Sequence, residues 1–208
     1  MNTTAFPDAA RTWNARFEAE GYHFGTEPNA WLAEHAHRIA PAGRVLCVAD
    51  GEGRNSVWLA RRGHAVAAFD IADAGVAKAR RLAQAAGVAV EYAVADCDGY
   101  DWRPGAFDAV VAIFVQFADP AARARLFARM RESLAPGGLL VLHGYTPKQL
   151  EYRTGGPPFA SHLYTPELLR EAFDGLEILE LREYEADLAE GEGHRGRSAL
   201  IGLVARKD

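Results

Sequence analysis

The sequence predicts an α/β protein with a mostly parallel sheet and helices on both faces, and three observations carry that prediction. An apolar run, Val45 to Val48, empties into a glycine-spaced turn at Gly51 and Gly53, and a helix-forming segment, Ser56 to Arg62, follows at once. Strand-like and helix-like segments then alternate for about a hundred residues, which reads as βαβ units building a parallel sheet. Finally, Gly51/Gly53, Asp70 and Asp96 fall at the C-terminal ends of three predicted strands. Ligands bind such sheets at the carboxyl ends of the strands, beside the topological switch point.

The elements follow in order. The first forty or so residues read as a helical lead-in punctuated by Pro28 and Pro41. After the glycine turn comes the strand AVAAFD ending at Asp70, then an Ala-rich helix from Asp73 to Ala86. VEYAVAD ends at Asp96 and FDAVVAIF at Phe114; a helix from Pro120 to Leu134 leads through Pro136-Gly137-Gly138 to the strand LLVLHGY. Thr146 to Pro166 reads as irregular, because its Gly155-Gly156-Pro157-Pro158 centre can continue neither a helix nor a central strand. A helix from Pro166 to Phe173, a strand from Leu176 to Glu185, the turn EGEGHRG and the strand SALIGLVAR complete the chain. One domain is expected over residues 1–208, with a helical lid at 1–41, a cofactor-binding core at 42–145 and a substrate-side loop with a closing hairpin at 146–208.

The turn constrains the ligand. A dinucleotide fingerprint wants a third glycine at position 56, where this chain has Ser56. Asp70 suits a ribose in either a dinucleotide or a mononucleoside ligand. Asp96, with Cys97 beside it, suits a ligand carrying an adenine amino group but no pyrophosphate. No P-loop pattern occurs.

The glycine loop, Asp70, Asp96, FDAVV and the Pro-Gly-Gly turn together resemble the class I S-adenosylmethionine-dependent methyltransferases, over roughly Ala42 to Tyr145. Within them, GEGRNSVWLARRGHAV and the aromatic segment WNARFEAEGYHFGTEPNAWL are similar to the small tellurite-resistance and thiopurine-type enzymes. Two departures stand out: Cys47 replaces the usual acid of the first motif, and Ala49 its usual first glycine.

The resemblance implies a Rossmann-like sheet of seven strands in the order 3-2-1-4-5-7-6, the last antiparallel. It also implies S-adenosylmethionine as cofactor and S-adenosylhomocysteine as product. Ala49, Asp50, Gly51, Gly53 and Asn55 would form the cofactor loop, with the methionine portion against the backbone. Asp70 would accept from both ribose hydroxyls. Asp96 would accept from the adenine amino group while the Cys97 amide donates to a ring nitrogen, and Ile71 and Phe114 would sandwich the purine. Arg16 and Tyr22 are assigned to the methionine carboxylate and the lid, with a purely structural role the alternative.

Methyl transfer is an in-line displacement for which the protein mainly aligns the partners and excludes water. The expected acceptor is a small molecule (a thiol, a chalcogen oxyanion or a heterocyclic nitrogen), since the chain has no separate domain for reading a macromolecule. Gln116, His143, Tyr145 and Arg153 are the candidate catalytic residues, with Tyr152, His162, His194 and Arg197 near the same face. His143 lies in an apolar strand and faces either the core or the substrate; Arg153 meets either an anion or solvent.

Composition agrees with a globular enzyme. A hydrophobic content of 49% and charged content of 25% are ordinary. A net charge of -5 argues against nucleic acid as partner, and the basic clusters RRGH and KARRLA read as solvated helix faces. No apolar stretch is long enough to span a bilayer and no leader pattern opens the chain, so the cytoplasm is expected. Cys47 and Cys97 make no disulfide framework. His35 and His37 point in different directions on a helix and Glu190, Glu192 and His194 read as a solvated turn, so no metal is expected. Two alternatives remain: an NAD(P)-dependent oxidoreductase, disfavoured by Ser56, and a non-catalytic S-adenosylmethionine binder, suggested by Cys47 and Ala49.

Overall fold

The computed structural model describes residues 8–208; residues 1–7 of the expected lid lie outside it. Seven strands, β1 (Arg44–Val48), β2 (Ala65–Asp70), β3 (Val90–Val94), β4 (Phe107–Ile113), β5 (Leu134–Tyr145), β6 (Leu176–Glu190) and β7 (His194–Lys207), form one sheet. Its order is β3-β2-β1-β4-β5-β7-β6, as the resemblance implied. The pairs among β1 to β5 are parallel, and β7 runs antiparallel to both of its neighbours.

The central strands are apolar throughout because both of their faces are covered. In β1, Leu46 and Val48 enter one core with Phe69, Val110, Leu140 and Ile201, while Val45 and Cys47 enter the other with Trp31, Leu59, Val111 and Val204. Cys47 therefore behaves as a small core residue, and burial holds its thiol well above the usual range.

Among the described residues, seven α-helices flank the sheet. They are α1 (Ala9–Phe17), α2 (Ala30–His35), α3 (Arg54–Ala60), α4 (Asp73–Ala85), α5 (Pro120–Ser133), α6 (Gln149–Tyr152) and α7 (Pro166–Ala172). Local chemistry fixes several starts. Asp119 caps α5 by accepting from the Ala122 N–H at 2.9 Å, and Thr165 caps α7 by accepting from Leu168 N–H at 3.3 Å, each followed by proline at the first position.

Three expectations need correction. The irregular stretch after β5 contains α6 and a 3-10 turn at Ala160–His162. The closing hairpin is longer than its turn residues suggested: pairing continues past Glu185↔Ala199 to Glu190↔His194, with Glu183 and Asp187 facing solvent and Glu190 turned inward to Arg54. The KARRLA cluster is not wholly solvated either, since Lys78 is buried against Glu52.

Gly53 shows how tightly the layers meet. It starts α3 at φ 91°, and a Cβ there would lie 2.7 Å from the Ala79 Cβ on α4. Gly63, at φ 88°, has open space instead. Gly63→Ala should cost about 1 kcal/mol of backbone strain, and Gly53→Ala a further 1–3 kcal/mol, roughly, of overpacking. Urea denaturation of the two variants side by side checks the difference.

Candidate active site

The glycine loop between β1 and α3 opens at the carboxyl edge of the sheet. Asp70, at the end of β2, turns its carboxylate into this loop: Oδ2 accepts from the Gly51 N–H and Oδ1 from the Ala72 N–H, each at 2.9 Å. Burial raises its proton affinity, and these backbone donors oppose the shift. Asp96, beyond β3, is exposed and accepts from the Asp98 and Gly99 N–H groups at 3.0 and 2.6 Å. Burial pushes the neighbouring Cys97 thiol up to about 12. Ala49 and Phe114 take positive φ, 48° and 57°, where β1 and β4 bend out of the sheet into the site.

Two segments distant in sequence cover this edge, and two buried ion pairs fasten them. Glu52 pairs with Lys78 at 2.8 Å and accepts from the His23 N–H at 2.7 Å, while the Lys78 ammonium also donates to the Ala19 and Gly21 carbonyls at 2.7 and 2.6 Å. The strap after α1 is thus tied to α4 and to the loop. Arg54 pairs with Glu190 at 2.8 Å and donates to the Phe24 carbonyl at 3.3 Å. Glu190 in turn accepts from the Asn29 side chain at 2.9 Å, and Asn55 Oδ1 accepts from the Asn29 N–H at 2.9 Å. The tip of the β6–β7 hairpin lies directly on the strap: the His23 carbonyl accepts from the Glu192 and Gly193 N–H groups, and a Cβ at Gly193 would lie 2.3 Å from the Phe24 ring.

Beneath this roof is a cavity of about 300 Å³. One end is lined by Ala49, Asp50, Gly51, Asp70, Ile71, Asp96 and Cys97, the other by Trp13, Phe24, Phe114, Phe117, Tyr145, His194 and the Gly156-Pro157-Pro158 loop. At the aromatic end the His194 ring stacks between Phe114, at 4.1 Å, and Phe24, at 4.5 Å. Tyr145 Oη meets His194 Nδ1 at 2.5 Å. Burial and the Arg54 guanidinium hold the imidazole down at about 2, while burial lifts the Tyr145 phenol well above its usual range. This pair is therefore neutral across the physiological range.

Thirteen of the residues singled out from sequence line the cavity: Arg16, Ala49, Asp50, Gly51, Asn55, Asp70, Ile71, Asp96, Cys97, Phe114, Gln116, Tyr145 and His194. Gln116 spends its amide on the fold, donating to the Tyr145 carbonyl at 2.9 Å and accepting from the Tyr145 N–H at 2.6 Å. The others lie elsewhere. Tyr22 lines a second, more open cleft between strap and hairpin. Gly53 packs on α4. His143 is capped by Trp31 and meets the Tyr184 hydroxyl through Nε2 at 2.9 Å, with burial holding it down at about 3. Arg153, exposed, closes α6 at φ 57°. His162 is buried against the Gln116 carbonyl, and Arg197 pairs with Glu185 at 2.7 Å on the surface. On the far face, Glu34, His35 and Glu180 bring three ligand-type atoms together, but Arg182 and Arg38 already neutralise both carboxylates.

Sequence reasoning missed Trp13, Phe24 and Arg54, although it flagged the aromatic segment that carries the first two. It also took Glu190 in the EGEGH turn as solvated, whereas Glu190 pairs with Arg54; His194, read both as part of that turn and as near the substrate face, lines the cavity. Nothing local in the sequence announces an ion pair between positions 54 and 190.

The loop and cavity suit an adenosyl ligand: a carboxylate with preset oxygens at a strand end, a backbone free of large side chains at Ala49 and Gly51, and the apolar Ile71 beside them. Comparison with known proteins agrees. A family described as "Methyltransferase domain" matches residues 45–138. The ribosomal RNA small subunit methyltransferase C of Chromohalobacter salexigens is 36% identical over 154 residues, 65% of this chain and 45% of that protein. The demethylmenaquinone methyltransferase of Thermus thermophilus is 34% identical over 155 residues, 65% of this chain and 70% of that protein. The chain thus spans less than half the length of the first and most of the second. Among solved structures, the N-methyltransferase NodS of Bradyrhizobium japonicum in complex with S-adenosylhomocysteine superposes with a TM-score of 0.70 at 13% identity, over 97% of this chain and 99% of that one, a likeness of fold. This chain belongs to the S-adenosylmethionine-dependent methyltransferase family.

Proposed function

We propose that the protein methylates a small acceptor, a thiol, a chalcogen oxyanion or a heterocyclic nitrogen, in the manner of the tellurite-resistance and thiopurine-type enzymes. The observation that carries this reading is the roofed aromatic end of the cavity, where Tyr145 and His194 present uncharged hydrogen-bonding groups. A cavity of about 300 Å³ beneath two fastened segments favours a small molecule over a nucleic acid or protein. An imidazole held at about 2 is a poor proton acceptor at neutral pH, so the acceptor must be nucleophilic without a strong base. Thiolates, chalcogen oxyanions and unprotonated ring nitrogens meet that condition; alcohols do not.

The cofactor, when bound, supplies a methyl group already activated on a sulfonium sulfur. Asp70 accepts from the ribose hydroxyls, with each carboxylate oxygen already oriented by a backbone donor. Asp96 takes the adenine amino group, the Cys97 amide a ring nitrogen, and Ile71 flanks the purine, whereas Phe114, expected on the other side of the purine, is stacked on His194 at the acceptor end. Ala49 and Gly51 leave room for the methionine portion, and Arg16 holds its carboxylate. Tyr145 and His194 orient the acceptor from the opposite side, while Trp13, Phe24 and the Pro157-Pro158 loop exclude water around it. Gln116 acts indirectly by clamping the end of β5, which fixes Tyr145.

Asp70→Ala should weaken S-adenosylhomocysteine binding about 100-fold, the scale of two hydrogen bonds to a charged acceptor; calorimetric titration reads it, and unchanged affinity would sink the cofactor placement. Acceptor assignment starts from S-adenosylhomocysteine release with small thiols, selenite, tellurite and benzimidazole. With whichever of these turns over, Tyr145→Phe should raise the acceptor KM several-fold and leave S-adenosylhomocysteine affinity within about two-fold of the parent. A variant that loses cofactor affinity instead would place Tyr145 in the cofactor site.

A further inference from the structure

Asp50 has no role yet beyond lining the cavity, and its surroundings are unusual. Its carboxylate is half-buried where β1 meets the loop, and Oδ2 accepts a close hydrogen bond from the Ser56 hydroxyl on α3. Ser56 Oγ lies 2.9 Å from the Tyr92 hydroxyl on β3 and 3.2 Å from the Gly53 carbonyl. Ser56 has one proton to give. With that proton directed at Asp50, its oxygen accepts from Tyr92, and the two hydroxyls form a short relay that ends on the carboxylate.

The remaining groups facing Asp50 are the Asp70 carboxylate from β2, the Cys47 thiol from β1 and the Arg54 guanidinium from α3. Arg54 is committed to Glu190, and Lys78 to Glu52. Among the described residues no ion pair ends on Asp50 or Asp70. One buried and one half-buried carboxylate thus share one cavity without an ion pair of their own. Such a pair is costly unless a ligand brings positive charge. Burial, reinforced by Asp70 and opposed by Ser56 and Arg54, raises Asp50 to about 7, so in the free protein it is poised between its two forms at neutral pH.

Resting on the cofactor assignment above, we infer that Asp50 reads the charge of the methyl donor, being ionised beside S-adenosylmethionine and protonated beside S-adenosylhomocysteine. The charge accounting balances. The methyl group leaves the sulfonium as a formal cation and forms a bond to the acceptor, and the sulfur keeps the electron pair as a neutral thioether. With the positive charge gone, Asp50 takes a proton from solvent, and any proton the acceptor carried leaves to solvent. The residue thereby favours the donor over the spent product in the same cavity, which opposes product inhibition.

The test is calorimetric titration of the full chain with each ligand between about pH 5.5 and about pH 8.5, in two buffers of different ionisation enthalpy. Donor affinity should rise by up to about ten-fold per pH unit until about pH 7, with up to one proton released on binding, and then level off. Product affinity should instead fall as pH rises above about 7, with proton uptake on binding. Asp50→Asn, which keeps the shape and removes the charge, should flatten the donor profile and cut the donor-to-product affinity ratio about ten-fold. It should also shrink the fall in melting temperature on going from acidic to alkaline pH, because a raised acid stabilises the fold below its unfolded value and loses that contribution as pH rises through about 7. A parent affinity ratio that does not vary with pH overturns the inference, with or without a folded variant. So does a full pH dependence surviving in Asp50→Asn, which would assign the effect to Asp70. Failure of the parent to bind either ligand would overturn the cofactor placement itself.

Discussion

Glu52 and Arg54 stand on either side of Gly53, and each turns away from the loop to grip a different covering segment. Glu52 takes Lys78 and the strap after α1; Arg54 takes Glu190 at the hairpin tip. The backbone that cradles the cofactor is therefore also the fastening of the roof. Removing one partner from a buried pair leaves an uncompensated charge, worth about 3–5 kcal/mol. Such a loss would be felt at the loop, the strap and the hairpin together. The chain needs a glycine between them because the turn requires positive φ and α4 leaves no room for a side chain.

The roof in turn makes the acceptor end what it is. Phe24 arrives on the strap, His194 on the hairpin and Phe114 on the sheet, and the three rings stack only because the two pairs hold strap and hairpin together. Their packing desolvates His194, and desolvation keeps it neutral beside Tyr145. The two ends thus differ: Asp50 and Asp70, carboxylates without an ion pair, line the loop end, and uncharged Tyr145 and His194 line the aromatic end.

Much of the fold was legible because its signals are local. The β2 strand, the α4 helix and the strand ends at Asp70 and Asp96 follow from short apolar runs ended by glycines or acids, and the sheet order followed from the resemblance they supported. What escaped was built from distant parts of the chain. Glu190 and Lys78 looked like solvated charges because their partners lie 136 and 26 positions away. His143 and Tyr145 are on the same face of β5, yet one is capped by Trp31 and the other reaches His194, a difference set by which element covers each. Periodicity gives the face but not what packs on it.

Hydrogen exchange of the full chain with and without S-adenosylhomocysteine tests this account most directly. The account predicts added protection in three places at once: the glycine loop at 49–55, the strap at 13–25 and the hairpin tip at 188–196. Protection confined to the loop, with strap and hairpin exchanging as in the free protein, would contradict the claim that the cofactor loop and the roof are one mechanical unit.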